Sequence, residues 1–347
     1  MQSASDAPVV IRLSDEERNA GSLSEHHLYD AVEAFFSDGF VVVENAVDLD
    51  KIDRLNERML KDTQKLLAGE GLSHYAPLNS KVAQNGAKAG GNLSQVPPLE
   101  KGETQKHWPG MALCFPARAN KMRSSEWLEP QIFANKQAAK IISSILGPQP
   151  EVHFMRSNTL LNTNDRQRVH SDMRFEHPTH PFAITQNVCL CDCGPENGMT
   201  ELWLGTQNTG VEVRPQLGEP FIQESVVEQR RKIRPPLYPR VKKGSILIRD
   251  LRLWHAGMGN PTDNVRILLT INYYAGWYRN GALVHFPESL KQHVHSLEDY
   301  AGIKIAATYE PDDGFNYLES KFSNNFSSVL RPEVWEKIAH VKTAKGY

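Results

Sequence analysis

Apolar positions recur at helical spacing near the N-terminus and then change period. Leu28, Val32, Phe35 and Phe36 repeat every three or four residues, which predicts a helix with these side chains inward, stopped by Asp38-Gly39. Phe40-Val-Val-Val-Glu44 reads as a short buried strand. Asp48-Leu-Asp-Lys51 then opens a second helix, with acidic residues at the positive end of its dipole and Leu55, Met59 and Leu60 inward, so that residues 25–70 are largely helical. Residues 71–110 lose all period and are rich in Gly, Asn, Ser, Lys and Pro, including Gly90-Gly91 and Pro97-Pro98. A stretch of this kind is expected to be a functional lid or disordered. Gln131 to Leu146 returns to helical spacing and closes at Gly147-Pro148.

From residue 150 the period becomes that of strands. Glu151–Leu160, Phe182–Cys193, Glu201–Leu204, Ser245–Ile248 and Val265–Tyr274 are strand-like, with turn signals between them. Many short strands without intervening helical patterns predict a mainly β protein with flanking helices, a sandwich or a barrel. Beyond 286 the pattern is mixed, with short helices expected over Leu297–Ile305 and Pro332–Val341. The expected organisation is one catalytic domain over 1–347: a helical region 1–147 carrying the lid 71–110, a β core 148–286 and a C-terminal extension 287–347.

Composition narrows the function classes. The chain has 347 residues, 40% apolar and 23% charged, with Lys plus Arg 39 against Asp plus Glu 41. That balance lacks the basic excess of a nucleic-acid binder, so no nucleic-acid partner is expected. The basic run Arg230-Arg-Lys-Ile-Arg234, continued at Lys242-Lys243, reads as a solvated loop leading into a strand, or as a dock for an anionic substrate. No basic leader precedes an apolar run at the start, no stretch approaches a membrane span, and the Ala-Lys-Gly-Tyr347 end is not a peroxisomal address. A cytoplasmic protein without membrane partners is expected. Cys189, Cys191 and Cys193 stand at strand spacing; packing as small apolar residues in a core strand is preferred over a soft-metal site. Phe315, Tyr317, Phe322 and Phe326 in the extension are expected to wrap the protomer or build a homodimer contact.

Candidate chemistry gathers in two segments. Arg168-Val-His-Ser-Asp172 places His170 and Asp172 two apart, so on a strand they point the same way. Trp254-His255-Ala-Gly257 and Asn264-Val-Arg266 add a second imidazole and a guanidinium. Two histidines and one carboxylate make the facial set of non-haem Fe(II) oxygenases, which leaves three metal positions open. Arg266 offers the fork that binds a dicarboxylate. Zinc would accept the same ligands, but a dedicated arginine makes sense only if a chelating acid is also placed.

Other residues resemble a known family. Phe35-Phe-Ser-Asp-Gly-Phe-Val-Val-Val-Glu-Asn45, Gln167-Arg-Val-His-Ser-Asp172, Glu196-Asn-Gly-Met-Thr200, Leu204-Gly-Thr206 and the His255/Arg266 pair occur in the order found in the phytanoyl-CoA dioxygenase family. The resemblance runs over about 27–275 and is most specific at the metal motif and the His/Arg pair. It implies a double-stranded β-helix, the jelly-roll or cupin-like core. It further implies that His170, Asp172 and His255 hold Fe(II), that Arg266 pairs with the distal carboxylate of 2-oxoglutarate, and that Gln167 and Thr200 donate hydrogen bonds to that cosubstrate. The implied reaction uses O2 to oxidise an unactivated C–H bond of a small molecule, by default a hydroxylation, with desaturation or rearrangement as variants. The family's substrates include acyl thioesters, amino acids and products of secondary metabolism. Halogenating relatives replace the carboxylate that is Asp172 here, so halogenation is not expected. Leu204-Gly-Thr-Gln207 stands where the family has Pro-Gly-Ser-His and predicts a different local loop.

Asn187 lies on a strand expected to face the same cavity, or is an ordinary polar strand residue. Arg156, Asn158, Arg174, His177, Trp203 and Trp277 are the candidate substrate-facing residues. Arg174 and His177 would bind a carboxylate or form a surface ion pair at the rim. Two other readings are a non-catalytic jelly-roll that binds or senses a ligand, and a metal-dependent hydrolase.

Overall fold

The computed structural model describes residues 7–67, 107–112, 128–162, 164, 166–172, 180–209, 221–313 and 315. The first half contains β1 (Val10–Arg12), α1 (Asp15–Ala20), α2 (Glu25–Asp38), β2 (Phe40–Glu44), α3 (Leu49–Leu67), β3 (His107–Ala112), α4 (Pro130–Phe133), α5 (Lys136–Leu146) and β4 (Glu151–Leu160). Next come β5 (Ala183–Cys189), β6 (Glu201–Leu202), α6 (Glu224–Ile233), β7 (Ile246–Asp250), β8 (His255–Ala256) and β9 (Arg266–Tyr274). The described chain closes with β10 (Val284–Pro287), α7 (Lys291–Ala301), β11 (Lys304–Ile305) and β12 (Ala307–Glu310).

Local chemistry sets the early boundaries. Ser14 and Glu17 cap α1 reciprocally, and the Ser24 side chain accepts the His27 amide at the start of α2. Gly39 ends α2 at φ 74, and a Cβ there would come within 2.7 Å of Gln207 Oε1 and 2.9 Å of Leu253 Cδ1. Only glycine meets both demands.

The major sheet runs β1-β2-β7-β5-β9-β4-β11, with β3 also on the β4 edge. β1 lies parallel to β2 and β11 parallel to β4, while the central pairs are antiparallel. The period of two divides its faces. Ile246 and Ile248, Ile184 and Val188, and Ile267, Leu269, Ile271 and Tyr273 pack against α2, α4 and α5 through Phe35, Ile132, Phe133, Ile141 and Ile142. Each fully buried aliphatic side chain of this layer contributes about 1.5–3 kcal/mol. The opposite face, with Phe40, Val42, Leu247, Cys189 and Leu268, meets Met199, Leu202 and Leu204 from a smaller sheet. That smaller sheet pairs β6 with β8 and is extended by bridges His170–His255, His170–Phe221, Leu202–Leu237 and Cys193–Val241. Two facing sheets with helices outside the larger one form the jelly-roll core.

Several expectations change. The basic run starts in a helix, α6, rather than in a loop: Arg230, Arg231 and Lys232 fill its last turn, where cations complement the dipole. Arg230 donates to the Leu204 carbonyl at 2.6 Å and Arg234 pairs with Asp38 at 2.7 Å, so part of the run braces the fold. The strand expected to reach Cys193 ends at Cys189, and Cys191 and Cys193 lie beyond it. Cys189 and Cys193 are buried in the inter-sheet core, and the three thiols are free. Phe36, expected inward, is 51% exposed, because Ala31, Ala34 and Phe35 form the buried stripe. The helix expected over 297–305 is α7, six residues earlier, stopped by Gly302 in the left-handed region. The lid 71–110, apart from 107–110 in β3, lies outside the described residues, as do Tyr317, Phe322, Phe326 and the helix expected at 332–341. Among the described residues no helix is long and apolar enough to cross a membrane.

Candidate active site

β8 and the segment around His170 are joined by two backbone hydrogen bonds, His170 N to His255 O at 2.9 Å and His255 N to His170 O at 2.8 Å. This antiparallel bridge sets the two imidazoles side by side, ring centroids 4.3 Å apart. Asp172 follows two residues on, its amide donating to the Leu251 carbonyl at 3.3 Å. Asp172 Oδ1 is 3.6 Å from His255 Nε2. One ligand atom from each of His170, Asp172 and His255 falls within 4.8 Å of the others. The expected triad is therefore assembled at one point.

Both rings are held from behind. Nδ1 of His170 donates to the Arg168 carbonyl at 2.8 Å, and Nδ1 of His255 to the Leu253 carbonyl at 3.0 Å. Each Nε2 lone pair is left facing the cluster, the tautomer a metal ligand requires. Burial and the Arg249 guanidinium push the His255 pKa well down, so this imidazole is neutral. Burial opposes ionisation of Asp172, but its electrostatic interactions with His255, the Arg249 guanidinium and His170, together with the Arg249 hydrogen bond, outweigh it and hold the carboxyl well below the ordinary range.

The turn that delivers His255 is built from a buried ion pair. Arg252 donates to Asp250 from Nε at 3.0 Å and Nη2 at 2.7 Å, and Asp250 Oδ1 also accepts the Arg252 amide at 2.9 Å. Arg249, just before it, was not picked out by sequence reasoning. Its Nη2 donates to Asp172 Oδ2 at 2.7 Å, and its Nη1 lies 3.2 Å from His255 Nδ1.

Arg266 occupies the first position of β9 on the inner face and is 1% exposed. Nη2 donates to the Gly198 carbonyl at 3.1 Å, while Nε and Nη1 have no partner among the described residues. Burial lowers its pKa from the ordinary arginine value. A buried guanidinium with two donors facing no acceptor fits an anion that completes it.

The other expected residues divide by sheet face. Arg156 and Asn158 lie on the inner face of β4, opposite Thr270 and Leu268 of β9, and Asn187 of β5 donates to Thr270 Oγ1 at 2.8 Å. Asn158 Oδ1 is buried without a partner. Gln167 spends its Oε1 on the Gly257 amide at 2.8 Å, which leaves only its Nε2 as a donor. Thr200 is half-buried, two residues beyond the Gly198 carbonyl that Arg266 uses. Trp203 does not face the cavity. It is fully buried on the other side of the small sheet with Val169, Trp254, Ile222 and Val227 of α6, and its Nε1 donates to Glu201 at 2.8 Å. Leu202, one residue earlier and paired with His255, takes the inward position, so the period of two turns Trp203 out. Trp277 is 49% exposed and meets Tyr278 edge-on, at 6.1 Å between centroids. Arg174 and His177 lie outside the described residues. The variant loop does differ: Gly205 takes φ 78, and the buried Gln207 donates to the Phe36 carbonyl at 3.0 Å, tying the loop to α2.

A jelly-roll that brings together two imidazoles and a carboxylate, with the buried guanidinium of Arg266 on its inner face, defines a non-haem iron oxygenase. The family model for phytanoyl-CoA dioxygenase (PhyH) matches residues 35–268, and the chain belongs to that family. It is an oxidoreductase of the Fe(II)/2-oxoglutarate-dependent oxygenase class. Among solved structures it is similar to AviO1 from Streptomyces viridochromogenes Tue57, at 16% identity and TM-score 0.50, covering 76% of this chain and 97% of that one. It is also similar to EctD from S. alaskensis, solved with bound Fe and with 2-oxoglutarate and 5-hydroxyectoine; each comparison gives 17% identity, TM-score 0.50, and 88% and 93% coverage of this chain and that one. At these identities the likeness establishes the fold.

Proposed function

We propose that the protein oxidises an unactivated C–H bond of a small-molecule substrate, with His170, Asp172 and His255 holding Fe(II) and Arg266 anchoring 2-oxoglutarate. The observation that carries this reading is the pair of donors on buried Arg266 that find no partner among the described residues, on the same face of the major sheet as Arg249, which holds Asp172 of the triad. EctD, of related fold and solved with bound Fe and with 2-oxoglutarate, supports the same assignment.

Iron with 2-oxoglutarate supplies the oxidising power, consuming O2 and releasing succinate and CO2. The residues of the chain position and shield. With iron held, His170, Asp172 and His255 would supply three ligands and leave room for a chelating keto acid and O2. The Arg266 fork fixes the far carboxylate and so the direction of the chelate. Gln167 Nε2 and Thr200 are the next donors proposed for the cosubstrate. Arg156, Asn158 and Asn187 on the inner wall are proposed to meet cosubstrate or substrate, and Trp277 to stand at the rim. Hydroxylation is the default outcome, because it needs only that the cleaved carbon sit beside the open positions. Residues 1–147, 148–286 and 287–347 are proposed to act as one catalytic domain.

The test is anaerobic addition of Fe(II) and 2-oxoglutarate. A weak visible charge-transfer band should form, and succinate should follow on admitting O2. A protein that binds Fe(II) yet shows neither band nor succinate would defeat this reading and return the binding-module alternative.

A further inference from the structure

β7 sends Ile246 and Ile248 toward the helices, and its alternate positions Leu247 and Arg249 toward the cavity. Arg249 is 8% exposed and its Cα partner on β5 is Thr185. A guanidinium this buried is costly unless compensated. Among the described residues the carboxylate that compensates it is Asp172, whose Oδ2 it holds at 2.7 Å. The second Asp172 oxygen, Oδ1, is the one beside His255 Nε2. The two oxygens therefore have different tasks before any metal arrives.

The geometry points to Arg249 as the positioning residue that keeps Asp172 a one-oxygen ligand: by occupying Oδ2 it leaves only Oδ1 to the metal. This inference rests on His170, Asp172 and His255 being the iron ligands. Carboxylates bind metals through one oxygen or two. A two-oxygen Asp172 would fill a position the keto acid needs, whereas a one-oxygen Asp172 with two imidazoles keeps three positions open. A charge-assisted hydrogen bond of normal length on the outer oxygen is a direct way to enforce that choice. Arg249 thus acts through the proposed ligands, through Asp172 Oδ2 at 2.7 Å and beside His255 Nδ1 at 3.2 Å.

The experiment compares wild type, Arg249→Met and Arg249→Lys, loaded with Co(II) under argon. Co(II) affinity, the Co(II) absorption spectrum and the Kd for 2-oxoglutarate are read on each, with His170→Ala as control. In Arg249→Met, Co(II) should still bind, roughly 10- to 100-fold more weakly as is usual when a partner of metal ligands is lost, and the spectrum should change before 2-oxoglutarate is added. With Co(II) saturating, its 2-oxoglutarate Kd should rise about tenfold or more, because a two-oxygen Asp172 takes a position the keto acid needs. Arg249→Lys should recover part of that loss, since an ammonium can still hold Oδ2. Loss of Co(II) together with 2-oxoglutarate would overturn the inference, because Arg249 would then be building the site as a whole. A weakened 2-oxoglutarate Kd with an unchanged starting spectrum would also overturn it, because Arg249 would then contact 2-oxoglutarate directly. If wild type itself binds no 2-oxoglutarate in a metal-dependent way, it is the proposed function that falls.

Discussion

Arg266 gives one hydrogen bond to the Gly198 carbonyl, from Nη2 at 3.1 Å, and its Nε and Nη1 find no partner among the described residues. The Gly198 backbone, at φ 81, is packed so closely that a Cβ would lie 2.4 Å from Leu160 Cδ2. The arginine is therefore aimed by a rigid turn. On the proposed reading, truncating it removes one half of a buried charge pair, worth about 2–5 kcal/mol. Arg266→Ala should raise KM for 2-oxoglutarate by tens- to thousands-fold. Arg266→Lys should recover little, because a point charge does not replace the fork. Steady-state kinetics against 2-oxoglutarate check this, and an unchanged KM would remove Arg266 from the cosubstrate site.

Metal binding should be visible in stability. A ligand at a hundredfold excess over its Kd stabilises the folded state by about 2.7 kcal/mol. Fe(II) under argon, or Mn(II) in its place, should raise Tm, and a chelator should reverse the rise. His170→Ala should lose the metal-dependent part of Tm while keeping the Tm of the metal-free protein. His170 is only partly buried, so little packing goes with it. A metal-induced Tm rise that survives in His170→Ala would place the metal elsewhere.

The triad and Arg266 were legible because each stands in a short segment of fixed spacing, and because β4, β5 and β9 are strand-like segments bounded by turn signals. Arg249 was not legible. In Ile246-Leu-Ile-Arg-Asp250 it reads as one polar residue closing an apolar strand, and only its register opposite Thr185 turns it into the cavity. Trp203 was misread for the same reason: a strand as short as Glu201–Leu202 shows no alternation from which to choose a face. The last turn of α6 was read as a loop because the helix buries only Val227, with Val226 half-buried beside it, and carries a row of charges. In each case the missing information is a contact between segments distant in sequence.

Glu17 predicts an acid-sensitive N-terminal clasp. Its carboxylate accepts the Ser14 and Ser24 amides at 3.0 and 2.9 Å and meets His27 Nδ1 at 2.9 Å. Burial opposes its ionisation, but these bonds outweigh it and bring its pKa from 4.5 down to about 2. A depressed folded-state pKa means the stabilisation is complete above pH 4.5 and is lost as pH falls toward 2. Glu17→Gln should cost on the order of 1–3 kcal/mol at neutral pH and should flatten the stability profile between those limits. Urea denaturation at stepped pH measures it; parallel wild-type and variant profiles would show that Glu17 contributes nothing through its charge.

The Asp250–Arg252 pair makes the sharpest stability prediction, because its two members are 1% and 4% exposed and both of its strong bonds lie within one turn. Taking two charges out of water offsets much of their attraction, so the pair as a whole is worth little against an apolar replacement. Removing one member is different, since the other is left charged and buried. Asp250→Asn should destabilise by about 3–5 kcal/mol, and Arg252→Met by a similar amount. The double variant should cost clearly less than the two single costs added. The turn also delivers His255: Leu253 N donates to Asp250 O at 3.1 Å, and the Leu253 carbonyl orients the imidazole. Asp250→Asn should therefore weaken metal affinity as well, even at temperatures where the variant remains folded. Urea midpoints across the cycle, with metal titrations on each protein, separate the two effects. Additive stability costs would mean that the pair is not coupled, and unchanged metal affinity would mean that the turn holds His255 by backbone packing alone.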